Sequence, residues 1–133
     1  MQPIERLPIS FERKFRPWRY HLSHSELSLR SFDPASVEDS VEITFYGVLG
    51  LKLKTVYSPL EIARADDDQA REILEVAGIG VDRASDVVTL ALKSSGPDGL
   101  VACMSYSIRS RPRPLSDDAY VASEEGWTVI ARG

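Results

Sequence analysis

The sequence predicts an α+β fold: a mostly antiparallel, strongly curved sheet, barrel- or sandwich-like, carrying one amphipathic helix at about 66–78. Three observations lead there. First, Val41, Ile43, Phe45, Gly47, Leu49, Leu51 and Leu53 alternate with Glu42, Thr44, Tyr46, Val48, Gly50, Lys52 and Lys54. That period of two marks a half-buried strand, or two strands sharing one face. Second, Ala70, Ile73, Leu74 and Ala77 fall at i, i+3, i+4 and i+7, a single helical stripe. Third, the alternating runs 88–92 and 100–108 flank Ser94-Ser95-Gly96-Pro97-Asp98-Gly99, dense turn chemistry of the kind that joins a hairpin.

In chain order, Ile9, Phe11, Arg13 and Phe15 alternate with polar residues between Pro8 and Pro17. Proline cannot donate to a ladder, so a short edge strand is expected. Trp18, Tyr20 and Leu22 then share the apolar face, with Arg19 and His21 opposite, before the parity moves to Leu27 and Leu29. A hairpin near His24 and a bulge both explain that shift. Phe32 to Ser36 reads as a loop around Asp33-Pro34. In the long run 41–53, Gly47 and Gly50 predict a bend or bulge, and hence a strand shared between two parts of a curved sheet. Its odd face is expected in the core. Its even face is partly apolar at Tyr46 and Val48, which makes that stripe a candidate interface.

Leu60 and Ile62 begin a short strand. For the helix, Asp66 is the expected cap, Gln69 completes a capping box, and Gly78 supplies the left-handed stop. Leu100, Ala102, Met104, Tyr106 and Ile108 are expected on one face of a single strand. Arg109 to Ser116 reads as a basic, proline-broken loop, and Trp127 to Ala131 as a closing strand.

With 133 residues, 43% hydrophobic and 27% charged, the chain is expected to form one domain spanning 1–133. No apolar run approaches the roughly 20 residues of a membrane-spanning helix. The start, Met1 to Arg6, lacks the basic-then-apolar order of a signal peptide, and Cys103 is the lone cysteine. A reducing, cytoplasmic setting is therefore expected. The net charge of −4 argues against general nucleic-acid binding. That charge is segregated: Arg6, Arg13, Lys14, Arg16 and Arg19 open the chain, and Arg109, Arg111 and Arg113 form a second basic block. Between them, acids dominate 61–86 (Glu61, Asp66, Asp67, Asp68, Glu72, Glu75, Asp82, Asp86).

No catalytic, cofactor or metal constellation is legible. His21 and His24 have metal-like spacing but point to opposite faces of a strand and lack further ligands. Cys103 lies between Ala102 and Met104, the setting of a packed thiol rather than a nucleophile. Asp66 to Asp68 suit a helix start, and Asp117, Asp118, Glu124 and Glu125 suit a solvated rim. Gly78-Ile79-Gly80 follows a helix rather than opening one, and Gly96 to Gly99 lacks the Lys-Ser/Thr of a phosphate loop. The mixed basic and aromatic stretch Phe15, Arg16, Trp18, Arg19 and Tyr20, joined by Arg109, Arg111 and Arg113, could be core, protein contact or nucleic-acid contact.

The run Phe15-Arg16-Pro17-Trp18-Arg19-Tyr20 into His24-Ser25-Glu26-Leu27-Ser28-Leu29-Arg30-Ser31, with Val41-x-Ile43-x-Phe45-x-Gly47-Val48, resembles a family of small, uncharacterised actinobacterial proteins. The likeness covers most of the chain and implies no catalytic residues. In size, acidity and fold class the chain is also similar in a general way to toxin-immunity proteins. The function expected first is a non-enzymatic bacterial domain that binds another protein or its own copy. Its candidate contacts are Arg16, Trp18, Arg19, Tyr46, Val48, Glu72, Glu75, Arg109 and Arg111. The second is a small enzyme or ligand-binding barrel with a pocket near His21, Tyr46 or Tyr106. The third is a weak nucleic-acid binder working through the arginine segments.

Overall fold

A computed structural model describes residues 6–31, 40–111 and 127–133. The loops expected at 32–36 and 112–116, and the acids 117–125, lie outside the described residues. The chain runs β1 (Ile9–Phe11), β2 (Phe15–His21), β3 (Glu26–Ser31), β4 (Ser40–Tyr46), β5 (Gly50–Lys52) and β6 (Leu60–Arg64). Then come α1 (Asp67–Ala77), a 3-10 turn at Ala84–Asp86, β7 (Val88–Lys93), β8 (Gly99–Cys103), β9 (Ser105–Arg111) and β10 (Thr128–Arg132). All strand pairs are antiparallel and form two five-stranded sheets, β1-β6-β7-β8-β5 (sheet A) and β10-β9-β4-β3-β2 (sheet B). The fold class expected from the sequence, α+β with a curved antiparallel sheet and one helix, is the one observed.

The two sheets pack face to face. Sheet B contributes Phe15, Leu27, Leu29, Val41, Ile43, Phe45, Tyr106 and Ile108 to the core, and sheet A contributes Leu60, Ile62, Leu90, Leu92, Val101 and Cys103. α1 covers the other face of sheet A. Ile73 is fully buried there against Ala91, Leu100 and Ala102, a burial that contributes about 1.5–3 kcal/mol. Small residues beneath the helix let it come close; a Cβ on Gly50 would stand 3.0 Å from that of Ala77. Both helix ends behave as the sequence implies. Asp66 and Gln69 form the reciprocal capping box. Gly78, at φ 72°, donates to Glu75 O while Ile79 donates to Leu74 O, a Schellman stop.

The long alternating runs do not stay in one sheet. Residues 41–53 leave sheet B after Tyr46 and enter sheet A at Gly50, and 100–108 make the reverse passage at Met104. The passages occur side by side: Met104 N–H reaches Tyr46 O and Gly47 O at 3.0 and 3.2 Å, and Leu49 N–H reaches Ala102 O at 2.8 Å. This corner corrects three expectations. Gly47 turns through a positive φ of 61°, so Val48 swings into the core at 8% exposure and Leu49 swings out. Val48 therefore offers nothing to a partner. Leu100 and Ala102 face the helix while Tyr106 and Ile108 face the sandwich core, with exposed Met104 between them. An unbroken parity meets two different environments because the chain changes sheets.

Two more corrections concern β2 and β9. Around 18–24 a bulge and a hairpin both occur: the β2–β3 register slips between Pro17 and Arg19, and the hairpin turns before Glu26. The extra residue, Trp18, is thereby moved off the core face, and Tyr20 at the far end is exposed. Arg109 and Arg111 belong to strand β9, paired with Glu42 and Ser40, rather than to a loop.

Gly47→Ala should destabilise far more than Gly78→Ala. Both positions need a left-handed backbone, about 1 kcal/mol for a side chain. At Gly47, however, the new Cβ also lands 2.7 Å from Met104 Cγ, whereas Gly78 is open. Urea unfolding is the measurement, and Met104→Ala should recover part of the Gly47→Ala loss. Cys103, fully buried, has its thiol pushed up to about 12, first by burial. Its reaction with a thiol reagent near neutral pH should therefore follow global unfolding, not thiolate chemistry in the native state.

Candidate functional site

Alternation gives every strand of sheet B an outward row, and in most open sandwiches that row meets water. Here it does not. Ser28, Arg30, Ser40, Glu42, Thr44, Ser107 and Arg111 are all buried, Glu42 at 5% and Arg30 at 4% exposure. The register explains how they meet. Arg16 on β2 lies opposite Arg30 on β3, Arg30 opposite Glu42 on β4, and Glu42 opposite Arg109 on β9.

Glu42 is the centre of this row. Arg30 donates from Nε to Glu42 Oε2 at 2.9 Å and from Nη2 to the same oxygen, while Arg109 Nη2 donates to Oε1 at 2.7 Å. Burial alone would raise the Glu42 pKa. The hydrogen bonds and charges of Arg30, then of Arg109, outweigh it and hold the carboxyl below its ordinary range. Beside the ion pairs, Ser28 and Thr44 share a 3.1 Å hydroxyl contact across β3 and β4. Tyr46 and Ser107 do the same across β4 and β9, also at 3.1 Å.

Two indoles complete the cluster. The bulge places the Trp18 ring 4.6 Å from Arg30 Cζ, and Trp127, next to the start of β10, lies 5.6, 5.1 and 4.5 Å from the Cζ atoms of Arg30, Arg109 and Arg111. Guanidinium planes against aromatic faces are attractive, the more so when water is excluded. The structure thus joins two stretches that are some 90 positions apart in the chain, Arg16–Trp18–Arg19 and Arg109–Arg111, on one sheet face. Arg30, Glu42 and Trp127 were not among the candidates. For Arg30 and Glu42 the one signal is outward parity with opposite charge, which pairing register turns into contact; Trp127 carries no such signal.

The other candidates lie elsewhere. Tyr46 is half-buried on the outer face and Tyr106 is in the core, on the other side of the same sheet, so the two do not converge on a common pocket. His21 and His24 are exposed at the hairpin, their rings 6.2 Å apart, and no group of three metal-ligating side chains occurs among the described residues. Glu72 and Glu75 are on α1, beyond the opposite sheet. Glu72 pairs with Lys52 at 2.7 Å, and Glu75 is exposed.

Replacing Glu42 by Ala should cost about 3 kcal/mol or more in urea unfolding, since it removes the buried carboxylate that accepts from both Arg30 and Arg109. Glu72→Ala removes only an exposed pair and should cost under about 1 kcal/mol.

No family model, no curated protein and no solved structure matches this chain.

Proposed function

We propose that the chain is a non-enzymatic protein-binding domain that engages a basic partner through the outer face of α1. The observation that carries this reading is the make-up of that face. Ile73 and Ala77 turn inward on sheet A, which leaves Asp68, Glu72 and Glu75 outward with Val76 among them, 62% exposed. Just beyond the helix, Val81 is 97% exposed and is followed by Asp82 and Asp86. Arg71 reaches Asp68 at 3.2 Å and Lys52 reaches Glu72, but Asp67, Glu75, Asp82 and Asp86 keep the patch negative. Apolar contacts within a field of one sign combine desolvation with electrostatic steering.

The likeness to small actinobacterial proteins supports a bacterial, cytoplasmic setting for this reading. The general likeness to immunity proteins supports a basic toxin as one class of partner, by analogy alone. The arginine segments support nucleic-acid binding less, because Arg30, Arg109 and Arg111 are engaged with Glu42 or the Trp127 ring.

A photo-cross-linking residue at Val81, used in the native host, should capture the partner, which is then purified. With that partner, Glu72→Lys combined with Glu75→Lys should slow association about tenfold at low salt, and less as ionic strength rises. An unchanged association rate would overturn the acidic-face reading.

A further inference from the structure

The corner that carries two strands from sheet to sheet also leaves two apolar side chains in water: Leu49 is 42% and Met104 53% exposed. Other exposed apolar groups stand at the same end of the domain. α1 ends over β5, where the Cβ of Ala77 faces Gly50, the residue after Leu49. Val87 packs with Ala91 and Ala102, and Val88 pairs with Cys103, the residue before Met104. The chain between, 78–87, therefore passes from β5 to β7 across the end of β8. It carries exposed Val81, and the last turn of the helix carries exposed Val76. On the other side, the β2–β3 hairpin is tied to the corner by Val48 N–H donating to Ser25 O at 2.8 Å, and Leu22 in its turn is exposed. Apolar side chains scattered over a surface are ordinary, but a group gathered at one end marks a contact site.

We infer that this end of the domain anchors an amphipathic helix of the basic partner, with Leu49 and Met104 as its apolar seat; the inference rests on the acidic-face reading above. Charge selects the occupant. Glu75, Asp82 and Asp86 are exposed around the apolar group, with Arg83 among them and Arg64 at the end of β6. A second copy brought on by a two-fold axis would set these acids against one another. Backbone chemistry selects the conformation. The N–H groups of Val48, Leu49 and Met104 already donate within the domain, so an extended segment would find none of them to pair with. A helix satisfies its own backbone and needs only side-chain contact. Met104 suits such a seat, because an unbranched thioether adapts to the shape it meets. The two parts of the surface act on different rates. The acids of α1 steer the encounter and set association, whereas burial of Leu49 and Met104 slows dissociation.

A synthetic helix of leucine and lysine, with its leucines along one face, serves as the probe, beside a scrambled peptide of the same composition. The helix should bind the wild type more tightly than the scramble does, and should shift the side-chain methyl resonance of Met104. Leu49→Ser combined with Met104→Ser should raise its dissociation rate about tenfold with little change in association. Glu72→Lys combined with Glu75→Lys should instead slow association. Should the serine variant fail to fold, the Met104 methyl shift in the wild type decides the matter. No binding of the helix, equal binding of the scramble, an unmoved Met104 methyl or an unchanged dissociation rate in the serine variant would each overturn the corner anchor. None of these touches the acidic-face reading, which fails on a different result, an unchanged association rate in the lysine variant, and takes the anchor with it.

Discussion

The corner at Gly47 and Met104 is the constraint on which the rest of this molecule depends. Two antiparallel neighbours, 41–53 and 99–111, pass from one sheet to the other at the same level and remain hydrogen-bonded through the turn. A side chain cannot occupy Gly47 without striking Met104. Because the strands bend together, one continuous ladder supplies the inner walls of both sheets, and the hydrophobic core lies between them. A second tie works from the other side, where Phe15 and Tyr57 exchange backbone hydrogen bonds of 2.7 and 2.9 Å. The sheets are thereby joined on both flanks.

Each sheet then meets a different solution to its outer face. Sheet A is covered by α1, whose small inner residues and the glycine beneath them allow close approach. The helix is tied down at its start by Gln69 to Asp98 and further along by Glu72 to Lys52. Sheet B buries a polar row instead. A buried ion pair seldom stabilises more than a hydrophobic substitute would, yet removing one partner is expensive. A charged row across three strands has a different use: Arg30, Glu42 and Arg109 pair only in this register, and a one-residue slip would put charge into the core.

The two outer faces also set the electrical character of the domain. The helix side is acidic with exposed valines, and the far side is rich in guanidinium stacked with indole. The proposed association with a basic partner therefore rests on groups that lie beyond the opposite sheet from the Glu42 cluster, and either set can be altered without disturbing the other.

Local order was legible from residue patterns alone. The helix, its capping box and its glycine stop depend on neighbours within a few positions, so Asp66, Gln69, Ile73 and Gly78 could be assigned their roles from spacing. Strand identity and the bend near Gly47 were equally local. What spacing could not convey is which sheet a strand occupies, because alternation looks the same on either side of a corner. Hence Val48 and Leu49 exchanged places, Met104 came to the surface, and a bulge turned Trp18 away from the core. Nor could it show that Arg30, Glu42, Arg109 and Trp127 meet, since long-range register is decided by how two sheets close on one core. The sequence by itself determined the elements and the α+β class. The tertiary structure decided the faces, and the candidate sites belong to the faces.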